Sequence, residues 1–381
     1  MKQTIFLLFI GIYLIPDSSY GQNGRIQTDN RLKTFMDTAV QKAAVAYMQD
    51  GNANGISIGI YYRGNKYAYN YGEVEKGSGK LPTAQTFYNL GSVAKTFIAT
   101  MLSEAVIEHK ANLKDDIRKY LPYPYPNLQY QGHPVRLVDL ANHTSALPLQ
   151  FHVFPEAILD SIGKLDRAAQ THYFNGYNED SLLADLHHIK PDTIPGFKYQ
   201  YNGNAMLLLQ LLIERIYHQP YEQVVTHYLK TNLGMHHTKT WLTDDEIKQL
   251  AQGYDAHNTP QRYINYTGFT GGPSMNATVS DMLIYLQANI EEKDRAVKLT
   301  HRITWGNKDG FAIGLGWMMN TSDGEEYVFH EGHTGTGFNT HCIFYPKQKT
   351  GIIIIVNDNI NQDNVSRMGD AIKAALDKQT K

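Results

Sequence analysis

"FYNLGSVAKTFIAT", Phe87 to Thr100, sets Ser92 three residues before Lys95, directly after Gly91. The stretch that continues it, "VAKTFIATMLSEAVIEH" from Val93 to His109, carries apolar residues at helical spacing and reads as a buried helix. A core helix needs neither a hydroxyl nor an ammonium at its first turn. A nucleophile needs both, because a serine hydroxyl is weak at neutral pH without a base within hydrogen-bond reach. Positions i and i+3 share a helix face, so Ser92 and Lys95 should lie side by side. The free N–H groups and positive pole of a helix start lower the cost of an oxyanion. They also favour the neutral, proton-accepting form of Lys95. The competing reading is a serine N-cap with a solvent-facing lysine, and spacing alone does not separate the two.

Upstream, "GISIGIYY" (Gly55 to Tyr62), a Gly64–Asn65 turn and "KYAYNYG" read as a strand, a tight turn and a second strand. Downstream, "LKDDIRKYLPYPYPNLQYQGHP" is rich in Pro and Tyr and reads as an irregular connection. From about 116 to 285, "RLVDLANHTSALP", "SLLADLHHI", "AMLLLQLLIERIYHQ" and "YEQVVTHYLKTNL" fit the helical period. The chain then turns to strands in "FAIGLGWMM", "EYVFHEG", "FNTHCIFYP" and "TGIIIIVND", and closes with an amphipathic helix over about 363–379. This order predicts an α+β fold: an antiparallel sheet flanked by helices, with an inserted, mainly helical subdomain. The expected division is 22–115 with 286–381 as an α/β domain built from both chain ends, 116–285 as the helical subdomain, and an active site at their interface.

Composition narrows the function. The 381 residues are 42% hydrophobic and 19% charged, an ordinary globular balance. A formal net charge of −2 gives no basic excess for nucleic acid or anionic lipid. Lys2, the apolar run "TIFLLFIGIYLI" and "SSYG" ending at Gly21 read as a signal peptide over 1–21, implying a secreted or periplasmic protein. The run is short for a membrane span, so no integral span is expected in the mature chain. No cysteine lies near the junction to carry a lipid. The only cysteine, Cys342, allows no intrachain disulfide and reads as a core residue of a strand.

With Ser92 and Lys95 in place, the sequence resembles the penicillin-recognising serine hydrolases. It is most similar to the branch of class C β-lactamases, D-alanyl-D-alanine carboxypeptidases and β-lactamase-like esterases and peptidases. "FYNLGSVAKTF", "LKDDIRKYLP", "RLVDLANHTSALP", "LKTNLGMHHTKTWL" and "GGPSMNATVSDMLIYL" carry the resemblance over almost all of the mature chain. It implies a β-lactamase/transpeptidase-like fold, an acyl-enzyme on Ser92 and no cofactor. The family's second motif, Tyr-x-Asn after Pro-Gly, falls at "PGFKYQYNGNAMLLL". Tyr201 takes the tyrosine position, Gly203 replaces the asparagine, and Asn204 is the candidate substitute for its amide-binding role. A phenol must be shifted from about 10 to act as a base, and a nearby lysine would shift it. The third motif is assigned to His333-Thr334-Gly335 in "HEGHTGTGF". His333 would orient the substrate or the proton network. Thr334 and Gly335 would line the substrate strand, and the Thr336 N–H would complete the oxyanion hole with that of Ser92.

A metal reading of His330, His333 and His341 fails on geometry. "HEGH" is not H-E-x-x-H, and residues 330 and 333 of a strand face opposite sides. No metal site is expected. The expected partner is a small molecule or cell-wall peptide. A D-alanyl-D-alanine carboxypeptidase or peptidase comes first, then an esterase, then a β-lactamase. A non-catalytic penicillin-binding-type module is the alternative from another class. Nothing in the sequence sets an oligomeric state.

Overall fold

The computed structural model describes residues 26–379, apart from 50–53, 153–157, 159–160, 163, 166–168, 170–171, 174–175, 264, 266–273, 323 and 359–360. The predicted signal segment 1–21 lies outside the described residues. Eight antiparallel strands form one sheet. Their spatial order is Trp305–Gly306, Ala312–Gly314, Trp317–Ser322, Glu325–His333, Asn339–Tyr345, Thr350–Val356, Gly55–Tyr62 and Asn65–Gly72. Strands from the two ends of the chain meet where Gly55–Tyr62 pairs with Thr350–Val356, Ile58 opposite Ile354. Antiparallel α+β is the fold class that the sequence predicted.

The strand composition explains both covered faces. In Thr350–Val356, Ile352, Ile354 and Val356 point to one apolar cluster, and Ile353 and Ile355 to the other. Helices Phe35–Gln49 and Gln362–Lys378 cover the first face, and helix Val279–Glu291 covers the second. An unbroken apolar run is what a strand buried on both faces requires. Each such isoleucine contributes about 1.5–3 kcal/mol relative to exposure.

A smaller three-stranded sheet, Phe87–Asn89, Asn276–Thr278 and Thr238–Lys239, leads into the Ser92 turn. Helix Ala94–Ile107 then runs through the middle of the molecule. Eleven of its residues are buried, Lys95 among them, so it is apolar nearly all round. Helices Gly203–Tyr217, Tyr221–Tyr228 and Arg295–Thr300 pack around it. Cys342 is a free, buried strand residue. Among the described residues, no helix is long and apolar enough to cross a membrane.

Candidate active site

Ser92 sits in a single turn of 3-10 helix, Gly91–Val93, ahead of helix Ala94–Ile107. Neither helix start has a side-chain cap, so the serine hydroxyl is not spent on the N-cap. It accepts instead from Lys95 Nζ at 2.8 Å. Lys95 is 4% exposed. Burial alone brings its ammonium down from 10.5 to about 7, which makes the neutral amine accessible near neutrality. The Phe97 ring stacks on Tyr285 at 4.3 Å, and the Tyr285 hydroxyl donates to Thr96 Oγ1 at 3.0 Å. These contacts hold the first turn that carries Lys95.

Glycines seat this turn on the sheet. Gly91 has φ +55°, and a Cβ there would lie 2.7 Å from the His333 nitrogen and 2.8 Å from its oxygen. A Cβ on Gly332 would fall 2.0 Å from the Leu90 carbonyl oxygen. Both positions demand glycine, the first for its left-handed backbone and both for close approach.

Tyr201 ends an extended segment just before helix Gly203–Tyr217. Lys95 Nζ lies 5.1 Å from its ring centroid. Burial pushes the phenol up to about 12, while a hydrogen bond with Ser92 opposes the shift. The direction is opposite to the one that would make a tyrosinate base. At neutral pH Tyr201 is a protonated phenol, and Lys95 is the group with an accessible base form.

The structure brings Ser92, Lys95 and Tyr201 together, but it puts the His333 side chain elsewhere. That imidazole is exposed, with Nδ1 2.9 Å from Asn339 Oδ1. The imidazole on the Lys95 side is His330, 1% exposed, with its ring 6.3 Å from that of Tyr201. His330 Nδ1 donates to the Glu331 carbonyl at 2.7 Å. Burial and the Lys95 charge lower its pKa to about 3, so it is neutral. The sheet register decides between the two histidines. His333 pairs with Asn339, and the Thr334 N–H donates to the Phe338 carbonyl at 3.0 Å. Ladder bonds alternate, so the His333 N–H and C=O turn away from that neighbour and towards Gly91.

Thr334, Gly335 and Thr336 form the tight turn beyond the strand. Thr334 Oγ1 accepts from Thr336 Oγ1 at 3.1 Å and from the Phe338 N–H at 2.9 Å. The Thr336 carbonyl abuts Gly253, 2.0 Å from where a Cβ would stand, so this turn packs on the 253–254 strand. The backbone N–H facing the Ser92 turn is that of His333. Asn204 Nδ2 is engaged by the Leu149 carbonyl at 2.5 Å. Asn202 caps the helix through the Ala205 N–H and donates to the Leu147 and Pro148 carbonyls, each at 3.0 Å. Gly203 faces open space, with nothing within 4 Å of a Cβ built there.

His143 is a second buried imidazole beside Tyr201, and one that the sequence reading did not single out. It is 2% exposed, and its ring lies 4.4 Å from that of Tyr201. Its only sequence signal is its place in "RLVDLANHTSALP", which was expected to be helical throughout; the helix spans only Leu137–Ala141, and His143 and Ala146 beyond it have φ of +57°. Among the described residues, no group of three or more His, Cys, Asp or Glu is arranged to hold a metal ion.

Comparisons with known proteins bear on the family and the fold. The family model described as Beta-lactamase matches residues 40–377. The chain is 25% identical over 383 residues to a beta-lactamase of Pseudomonas fluorescens, covering 91% of this chain and 100% of the relative. It is 26% identical over 341 residues to Protein flp of Staphylococcus aureus strain N315, covering 86% and 64%. The fold superposes on that of a beta-lactamase/D-alanine carboxypeptidase from Pseudomonas syringae with a TM-score of 0.74 at 23% identity, over 90% of this chain and 99% of the other. A class C beta-lactamase in complex with cefoxitin gives 0.74 at 24% identity, over 89% and 98%.

Proposed function

The chain belongs to the beta-lactamase family and is a hydrolase of that family; from this premise we propose that Ser92 forms an acyl-enzyme with a peptide, amide or ester carbonyl, a D-alanyl peptide first among them. The observation that carries it is the 2.8 Å bond between Ser92 Oγ and a buried Lys95 whose base form is accessible near neutrality. Ser92 Oγ bonds to the carbonyl carbon, and its proton passes to neutral Lys95. The oxyanion lies against the N–H groups of Ser92 and His333. As the tetrahedral intermediate collapses, the Tyr201 hydroxyl gives its proton to the leaving nitrogen or oxygen and is refilled from the Lys95 ammonium. Water, deprotonated by the same pair, then releases the acyl group. His330, not His333, is the buried imidazole facing that pair, and it acts as an uncharged neighbour that does not oppose the Lys95 ammonium. In this reading the site lies between a sheet lobe built from both chain ends and the mainly helical segment between them; the expected boundary at 285 falls inside helix Val279–Glu291, which packs on the sheet and so goes with the sheet lobe. No cofactor takes part.

An ester is the second reading, and Gly203 favours it. No side chain stands where the family's amide-binding asparagine would be, and Asn204 is tied to Leu149. The test is intact-mass spectrometry and product analysis with benzylpenicillin, a D-alanyl-D-alanine peptide and p-nitrophenyl acetate, with Ser92→Ala as the blank. A lasting penicillin adduct on Ser92 with release of D-alanine supports the peptidase. Ester cleavage alone moves the assignment to esterase. No Ser92-dependent product or adduct on any of the three leaves the non-catalytic module.

Gly203→Asn tests the empty position directly. The space admits the side chain, and the first turn of a helix tolerates asparagine. One added hydrogen bond to a substrate amide should raise kcat/KM on the peptide about 3- to 10-fold over that on the ester. An unchanged ratio in steady-state assays removes the missing amide contact as the cause of any ester preference.

A further inference from the structure

Resting on the role proposed for Tyr201, we infer that His143 is the positioning residue that holds the Tyr201 phenol over Ser92 and Lys95. Three contacts converge from it on one short segment. Its carbonyl accepts from the Gln200 N–H at 2.8 Å. Its ring Nδ1 accepts from the Asn202 N–H at 3.1 Å. Its ring lies 4.4 Å from the Tyr201 ring, tilted by 34°. The residues on both sides of Tyr201 and the phenol itself are thus held by one side chain and its backbone, from a position 58 residues away.

The backbone at His143 argues that the contact is specific. Its φ of +57° is a left-handed conformation that glycine or asparagine adopts more cheaply. The strain persists because the turn is fixed around it: the Thr144 N–H donates to the Asp139 carbonyl at 2.8 Å, and the Gly196 N–H donates to the Thr144 carbonyl at 2.7 Å. The turn therefore grips the chain at Gly196 and again at Gln200 and Asn202, leaving Tyr201 little freedom. Acceptance at Nδ1 fixes the tautomer with hydrogen on Nε2. Burial, the Lys95 charge and His330 together keep the ring neutral, so this acceptor persists over the working pH range.

The test is a double-mutant cycle read by p-nitrophenyl acetate hydrolysis, with kcat and KM separated. His143→Ala should lower kcat roughly 100-fold and move KM less than about threefold, the size expected for disturbing one proton-transfer group. In a Tyr201→Phe background the same change should lower kcat less than about threefold further. His143→Asn places Oδ1 at the Nδ1 position and suits the left-handed backbone; it should recover kcat to within about tenfold of wild type. A folded His143→Ala with wild-type kcat overturns the inference, as does an equal loss in both backgrounds. Should His143→Ala fail to fold, the same cycle on His143→Asn decides: a loss that survives in Tyr201→Phe overturns it. Equal hydrolysis by wild type and Ser92→Ala, or full activity in Tyr201→Phe, marks instead the failure of the underlying mechanism, and the inference falls with it.

Discussion

Ser92→Ala should abolish turnover, with a loss on the order of 10⁴- to 10⁶-fold in kcat, as for removal of other serine nucleophiles. The argument is that Oγ itself forms the covalent bond, so no neighbour substitutes for it. Lys95 and Tyr201 would remain poised on either side of an absent atom. The fold should tolerate the change, because Ser92 caps neither helix start and is only partly buried. Thermal unfolding is the control, with a midpoint expected within a few degrees of wild type, since one lost hydrogen bond is worth about 1 kcal/mol. Substrate binding should survive as well, so a stable complex with uncleaved peptide is the expected by-product. Hydrolysis at the wild-type rate by a folded Ser92→Ala protein would sink the acyl-enzyme mechanism, whatever the substrate.

Much of this site was legible in the sequence, and the reasons are local. Ser92 and Lys95 are three apart on one helix, so their contact follows from helical geometry. "GISIGIYY" and "TGIIIIV" carry enough β-branched residues to announce strands, which the structure buries on both faces. Tyr201 was found through its Pro195–Gly196 neighbours. The choice between His330 and His333 was not local. "HEGHTG" contains two consecutive His-x-Gly triplets, 330–332 and 333–335, and either satisfies the pattern. Only the strand register shows that residue 330 turns its ring towards Lys95 while residue 333 turns its backbone N–H towards Gly91. His143 was hidden for a related reason: it was read as part of a helical run whose helix ends at Ala141, and its partners are 57 and 59 residues distant. The two- and three-residue strands at 87–89, 238–239 and 276–278 are too short to show an alternation.

The second large effect concerns Lys95, where function and stability pull in opposite directions. Its folded value near 7 lies below the ordinary 10.5, and burial is the cause. Acylation needs the neutral amine, so kcat/KM should rise with pH through about 7 and then level off. Lys95→Met should erase this limb and cut turnover about 10²- to 10⁴-fold. The stability consequence has a definite sign. Between pH 7 and 10.5 the unfolded chain holds a proton on Lys95 that the folded chain has released, so this residue's contribution to stability rises with pH across that window. At pH 7 and below the folded protein carries the buried ammonium at full cost. The difference between 10.5 and about 7 corresponds to roughly 5 kcal/mol, an upper figure that water penetration and relaxation reduce. Lys95→Met should therefore be more stable than wild type by about 2–5 kcal/mol at pH 6, with the gain shrinking to nothing near pH 10.5. Urea unfolding of both proteins at pH 6, 8 and 10, beside the pH–rate profile, checks the two limbs together. A Lys95→Met protein that is inactive yet no more stable at pH 6 would mean that the lysine enters the fold already compensated. An unchanged acid limb would remove it as the base.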